Sequence, residues 1–484
     1  AYFDLKTGGE TESTMNIGGA EISATYAYSN SINITDALPG NDVIAYKDIT
    51  LTYKNTSSEE YKVYLKTVID YSTFTNTEND GVLYYDIYSG TDHSTLVQDK
   101  IIFPTITYGK AILKEISIPA NSTGTLNYRI NFYFPESNKL QNPDGQLVLN
   151  ASISVENDNS LKYTPTLLKK LDLMYQYESG TNGLEQDNTT NKNIRYVGAS
   201  PKNYLKFNNE IWRIIGVFNN ITTIDELELG KEKKELLVKI VRNESLGNYS
   251  WDTTDSTINN GDGINEWSQA DLMYELNCDG SSNSIYCRDE TKDGYLSDIT
   301  SGTVYWYDNK NNSKVGKYDY SKNIKISAIN QIANVEWNLG GTSSGTSSSA
   351  SALSSYTQER GTTHVSNPAD GVTRTNTWDG KIGLMYPSDY GYASTNKACR
   401  NQMNSSTNNE YNCKYDNWLF NGLWEWTFSP YYNNTTNTRS IYSDGRVYVS
   451  GARNGHAVRP ALFLKSDVVI SGGTGTESDP YVID

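Results

Sequence analysis

Histidine is almost missing from this chain of 484 residues: His93, His364 and His456 are the only three, and they lie far apart in sequence. No H-E-x-x-H pair occurs, so the helical zinc-protease arrangement, which needs two imidazoles one turn apart, is excluded. Cysteine is nearly as scarce, at four, and no two are spaced as a C-x-x-C knuckle, which argues against a zinc ribbon. No apolar run approaches the ~20 residues that a membrane-spanning helix needs. Basic residues are outnumbered, 41 Lys and Arg against 57 Asp and Glu, for a formal net charge of -16. A surface of that sign repels phosphate, so neither nucleic acid nor an anionic membrane is expected as a partner. It suits a soluble protein outside the cell, secreted to a bacterial surface or matrix. The opening Ala1-Tyr2-Phe3, with no signal peptide or sorting signal, has the look of a cleaved N-terminus.

What the chain has is aromatic surface. Tyr occurs 38 times and Trp 9 times, enough for large rings to supply much of the core. At about 150 residues per domain, the length suggests roughly three units. The cysteines fall as two local pairs in polar sequence, and short-loop disulfides Cys278–Cys287 and Cys399–Cys413 are the expectation for an exported chain. Four cysteines allow three connectivities, so this pairing is one of several.

Residues 20–158 read as strands. Leu126, Tyr128, Ile130, Phe132 and Phe134 alternate with polar neighbours or Tyr133, as do Leu147, Leu149, Ala151, Ile153 and Val155, and Ile49, Leu51 and Tyr53. Such a period of two describes strands with one buried face, hence a sandwich. Turn signals at Pro39-Gly40, Asn55-Thr56-Ser57 and Pro143-Asp144-Gly145 divide them.

An N-terminal Ala1-Tyr2-Phe3, a strand over Ile22 to Tyr28, a Pro-Gly turn, then Asp48 to Tyr53 followed by Lys54-Asn55-Thr56 together resemble the TasA/camelysin family of biofilm-matrix proteins, over about 155 residues. The resemblance implies a jelly-roll sandwich whose N-terminal segment leaves its own domain and pairs with an identical neighbour. Residues 1–19 are the expected donor segment, with Ala1, Tyr2, Phe3, Leu5, Met15 and Ile17 as its apolar contacts, because Gly8, Gly9, Gly18 and Gly19 bracket a polar stretch. Strand addition of this kind completes an unpaired sheet edge, and head-to-tail contacts make open filaments. The other reading of such an end is ordinary terminal disorder. Some members of the family carry a metalloprotease label, to which the three dispersed histidines lend nothing.

A helix-and-linker connector is expected over 159–190. Thr164 and Pro165 give a start signal, Leu167, Leu168, Leu171, Met174 and Tyr175 a single stripe, and Gly180 a stop. Residues 191–484 then read as an α+β domain. Its strands are expected at Tyr204 to Phe207, Ile211 to Phe218 and Leu236 to Val241. A capped helix should begin at Ser268 to Asp271, and a second should carry Ile326, Ile329, Ala333 and Trp337. The Gly/Ser/Thr run from Gly340 to Ser355 reads as an exposed flexible loop.

Near the C-terminus come Asn417-Trp418-Leu419, Gly422-Leu423-Trp424-Glu425-Trp426-Thr427 and Ala457-Val458-Arg459-Pro460. That order resembles the C-type-lectin fold of formylglycine-generating enzymes and of the variable proteins diversified by bacterial retroelements. Trp424 and Trp426 are expected in the core and Arg459 as a structural arginine. Asp252, Asp255, Asp262 and Glu266 form an acidic cluster without EF-hand spacing, better read as a solvated loop than as a calcium site. Neither a metal nor a cofactor is expected. Between the two apolar frames, Tyr431, Tyr432, Asn433, Arg439, Tyr442, Arg446, Tyr448, Arg453 and His456 crowd a turn-rich stretch. Tyr and Arg among small polar residues are how paratopes gain contact area, so this is the expected surface for a protein or glycan ligand. The alternative is that these residues only reflect a Tyr-rich chain.

The expectation is therefore a mainly β protein with some α: a jelly-roll sandwich followed by an α+β, C-type-lectin-like domain. It would be a fimbria-like or biofilm-matrix filament subunit, non-enzymatic, bearing an adhesive binding domain. The competing reading is a secreted enzyme, a camelysin-like protease or formylglycine-type oxidase, or an adhesin that does not polymerise.

Overall fold

A computed structural model of the chain describes residues 11–27, 29–74, 82–104, 109–136, 147–162, 165–178, 180, 183–224, 232–253, 262–277, 326–343, 350–404, 406–407 and 410–483. The molecule is mainly β with some α, as expected. It divides into two compact units, Ala1–Pro165 and Thr166–Asp484.

Among the described residues, ten antiparallel strands build the first unit. They are β1 (Thr11–Ile17), β2 (Ala20–Tyr26), β3 (Ser31–Ala37), β4 (Val43–Asn55), β5 (Tyr61–Ser72), β6 (Tyr84–Ser89), β7 (Thr95–Ile102), β8 (Gly109–Ile118), β9 (Ser122–Tyr133) and β10 (Leu147–Glu156). One sheet runs β1-β2-β4-β9-β6-β7 and the other β3-β10-β5-β8. Their inner faces share one core, which holds Ile22, Ile49, Leu51, Ile130 and Phe132 from the first sheet and Leu65, Ile69, Leu149 and Ile153 from the second. The alternation legible in β4, β9 and β10 is thus the alternation of core and solvent. Arg129 clamps β9 to β4 by two bonds to Asp48, at 2.6 and 2.7 Å.

The N-terminal segment departs from expectation. Thr11–Ile17 pairs residue for residue with its own β2, closing a hairpin at Gly18-Gly19. Both glycines have positive φ, 49° and 102°, which a tight connection of two strands requires. Met15 and Ile17 alternate inward and pack on the home core instead of leaving it. Ala1, Tyr2, Phe3 and Leu5 lie outside the described residues.

The second unit begins with helix α1 (Leu167–Glu178), whose start is capped by Thr166, its Oγ1 accepting from Lys169 N at 3.1 Å. Leu167, Leu171 and Met174 enter the core of this unit, so the helix is part of the second domain and not a free connector. Residues 179, 181 and 182 lie outside the described residues, and from Gly183 on the chain is held in place. Asp187, buried, gathers Thr189, Asn193 and Arg195 within 3.1 Å and fixes the next stretch of chain. The main sheet centres on β11 (Tyr204–Phe207), β12 (Glu210–Ile224) and β13 (Glu232–Arg242), at the three places where strands were expected. Helix α2 (Asp271–Asn277) follows a short 3-10 turn, Trp267–Gln269, capped by Glu266 in place of the expected Ser268.

Two further expectations fail. The helix at Ile326–Ile329 ends before Ala333, and Trp337 lies in a strand, Val335–Asn338, that pairs with Thr377–Gly380. Strand pairing and burial of Trp337 override the helical spacing. The glycines that open the Gly/Ser/Thr run are packed: a Cβ on Gly340 would sit 2.1 Å from the Gln358 carbonyl oxygen, and one on Gly341 1.9 Å from that of His364. Close backbone approach, not flexibility, is what glycine supplies there. At the other end Ser351 caps helix α3 (Ala352–Glu359), and residues 344–349 lie outside the described set.

Candidate binding face

A second, five-stranded sheet positions the candidate site. Its order is β14 (Asn248–Tyr249), β18 (His456–Ala457), β15 (Glu425–Pro430), β16 (Asn437–Ile441) and β17 (Val447–Gly451). It stands on a buried ion pair. Arg459 grips the Glu425 carboxylate with Nε and Nη2 at 2.6 and 2.9 Å and reaches the Leu419 carbonyl at 2.6 Å. Burial pushes the Glu425 carboxyl above its ordinary range against the pull of Arg459. Arg459 is a structural arginine, as expected.

From this base an aromatic row climbs outward. Trp267, Trp251 and Trp426 are fully buried and in edge contact, with centroids 5.1 and 6.1 Å apart. His456 packs on Trp426 at 4.3 Å and on Trp424 at 5.4 Å. Trp424 then stacks on Tyr442, 4.3 Å away and 13° from parallel, and Tyr442 meets Tyr448 edge-on at 5.6 Å. The two tryptophans of W-E-W lie on one side of the chain, as alternate residues must, but at different depths. Trp426 is 1 % exposed and Trp424 46 %, so only the first is the core residue expected of both. Trp424 precedes the first residue of β15 and so stands at the rim.

The outer end is held in place by polar contacts. Trp424 Nε1 donates to Ser443 Oγ at 2.8 Å, and the Tyr442 hydroxyl donates to the Val449 carbonyl at 2.7 Å. Asp444 accepts two bonds from the Arg446 guanidinium, at 2.9 and 3.0 Å, and the guanidinium lies 5.8 and 5.9 Å from the rings of Tyr442 and Tyr448. Gly445 makes this turn possible with φ of 92°, and a Cβ there would press on Lys414 N at 2.9 Å. Behind it the Tyr390 hydroxyl sits 2.9 Å from the carbonyls of both Cys413 and Gly445. Cys413 is disulfide-bonded to Cys399, as the sequence suggested. Cys278 and Cys287 lie outside the described residues.

The expected ligand surface thus divides. Tyr442, Arg446 and Tyr448 come together around Trp424. Tyr431, Tyr432 and Asn433 follow the far end of β15, a strand length of roughly 20 Å away. There Tyr432 joins Gly341, Ser343, Gln358, Thr362 and Thr363 around a cavity of about 210 Å³. Arg453, partly exposed, pairs with Asp262 at 3.1 Å. Two residues assigned to the surface are interior. His456 is buried, its Nε2 2.8 Å from Ser450 Oγ, and burial pushes its pKa down to about 4. Arg439 is 1 % exposed, its Nη2 donates to the Val447 carbonyl at 3.4 Å, and burial lowers its pKa to about 10. Polar residues in a turn-rich stretch read as surface; here β16 lies between two other strands and takes Arg439 inside.

Trp424, Leu423, Ser443 and Asp444 belong to this surface without having been expected there from the sequence. The signals were there: Asn421-Gly422 marks a turn just before Trp424, and Ser443-Asp444-Gly445 marks a hairpin between alternating runs. The acidic cluster is structural in part. Both Asp252 oxygens accept backbone amides, from Asp271 and Ile264, and Glu266 accepts from Ser268; Asp255 lies outside the described residues. Among the described residues no group of three His, Cys, Asp or Glu is arranged to hold a metal. None of the described helices is long and apolar enough to cross a membrane. No protein-family model matches the chain, and no curated protein matches it.

Proposed function

We propose that this protein is an extracellular filament subunit of a bacterial surface or biofilm matrix. Its first unit joins identical subunits by strand addition, and its second, of C-type-lectin-like kind, binds a ligand for adhesion without catalysis. The observation that carries the binding half is the stacked pair Trp424 and Tyr442, backed by a buried row yet 46 % exposed at Trp424. A monomer with no ligand gains little by holding a large ring at its rim, whereas exposed aromatics with ordered polar neighbours are what binding surfaces concentrate. Arg446 is already neutralised by Asp444, so the face suits an uncharged, flat-sided group such as a sugar ring.

The experiment is a screen of the whole chain against arrayed glycans and matrix proteins, repeated with Trp424→Ala and Tyr448→Ala. Binding to at least one arrayed ligand, weakened tenfold or more by Trp424→Ala, is expected. Binding that is indifferent to both substitutions would place the ligand elsewhere.

A further inference from the structure

Strand β7, at one edge of the six-stranded sheet, is exposed along almost its whole length. Leu96, Val97, Ile101 and Ile102 are 45, 40, 43 and 50 % exposed, four large apolar side chains in eight residues. Adjacent residues of a strand point to opposite faces, so the pairs Leu96-Val97 and Ile101-Ile102 leave apolar surface uncovered on both. Sheets guard free edges with Lys, Pro, bulges or a covering segment. The guards on β7 are few. It has no Pro, its ladder to β6 shifts register near Ile87, and its single Lys100 is drawn over the ring of Tyr133 at 4.2 Å.

The opposite edge of the same sheet is β1. Every pairing from β1 through β2, β4, β9 and β6 to β7 is antiparallel, so chain direction reverses five times. With six strands, β1 and β7 therefore run in opposite senses. A second copy carried along the sheet would lay its β1 antiparallel beside β7, seven residues against eight. An odd number of strands would have forced a parallel match.

We infer that β7 is the receiving edge for β1 of a second copy of this chain, and that the six-stranded sheet continues from subunit to subunit. The inference rests on the filament reading above and gives it its contact. Such an interface uses two different edges, so each added subunit presents a fresh β7 or β1 and the assembly does not close. Main-chain bonds supply attraction, and the apolar side chains of β7 lose their exposure to water.

The test uses two full-length variants that each block one edge. Val97→Lys with Ile101→Lys charges β7, and Met15→Lys places an inward charge on β1, a device that edge strands use against pairing. Thr14→Pro, at an exposed position of β1, is the second β1 variant should Met15→Lys lower the melting temperature of the first unit. Wild-type protein should form filaments by electron microscopy. Each variant alone should be monomeric by light scattering, and an equal mixture should stop at a dimer, since one free β1 meets one free β7. A mixture that stays monomeric, or a β1-blocked variant that dimerises alone through β7, overturns the β1–β7 contact while wild-type filaments leave the assembly reading standing. Wild-type protein that never polymerises overturns both.

Discussion

Replacing Trp424 and Trp426 in turn separates the rim of the second unit from its interior. Trp426 is 1 % exposed, touches Trp251 and His456, and donates Nε1 to the Tyr249 carbonyl at 2.7 Å. Truncation to Ala leaves a large cavity and an unsatisfied buried carbonyl, a loss of about 3–5 kcal/mol. Trp424 has one stacked partner, Tyr442, and a hydrogen bond to Ser443 in an exposed setting. An aromatic pair contributes about 0.5–1.5 kcal/mol beyond its area, and a half-exposed ring forfeits much of its burial term, so Trp424→Ala should cost about 1 kcal/mol. In a unit of this size, each kcal/mol moves the midpoint by roughly 2 °C. Calorimetry, which can follow the two units as separate transitions, should show the second transition fall by about 2 °C for Trp424→Ala and about 6–10 °C for Trp426→Ala. Equal shifts, or a larger one for Trp424→Ala, would refute the assignment of depth along the aromatic row.

Two other outcomes are expected. Reducing Cys399–Cys413, a loop of 14 residues in sequence, should cost the second unit about 3 kcal/mol through the greater freedom of its unfolded chain, read as a lower denaturant midpoint after reductant. Acid should weaken the same unit through His456 and His364, which burial holds at about 4 and about 3. An unfolded histidine takes its proton near 6.5, so the stabilising contribution is complete above that pH and is lost as pH falls toward the folded values. At pH 5 the loss is about 2 kcal/mol for each. His456→Gln should flatten the fall in melting temperature between pH 7 and pH 5 by about half; an unchanged slope would show that His456 is not held neutral.

Much of the fold was legible because strand alternation is a local signal. Ile49 and Leu51, or Leu149, Ala151 and Ile153, declare a buried face without reference to the rest of the chain. The structural role of Arg459, though not its partner Glu425, and the Cys399–Cys413 bond were approached through order and spacing. What failed depended on partners distant in sequence. Ile326, Ile329, Ala333 and Trp337 fit a helical stripe, but Trp337 is claimed by a strand some forty residues further on, Trp378 opposite it. Arg439 reads as surface until the strands on either side of it are known. Thr11–Ile17 is polar enough to be free, yet Met15 and Ile17 at alternate positions suffice to seat it beside β2. Depth along a row of rings is likewise invisible in W-E-W, because both tryptophans point the same way.

The Tyr390 hydroxyl, lying between the carbonyls of Cys413 and Gly445, bears on how the face would respond to force. The turn Ser443 to Arg446 holds the Trp424 ring through Ser443, and a tethered ligand pulled away from that ring would load it. Tension there passes by Tyr390 into helix α4 (Pro387–Tyr392), and by the Cys413 carbonyl into a loop closed covalently at Cys399. The weakest link in that path is a shared hydroxyl proton, while the links behind it are a covalent bond and a packed helix. An adhesive contact built this way would yield at its turn and recover, leaving the domain behind it folded.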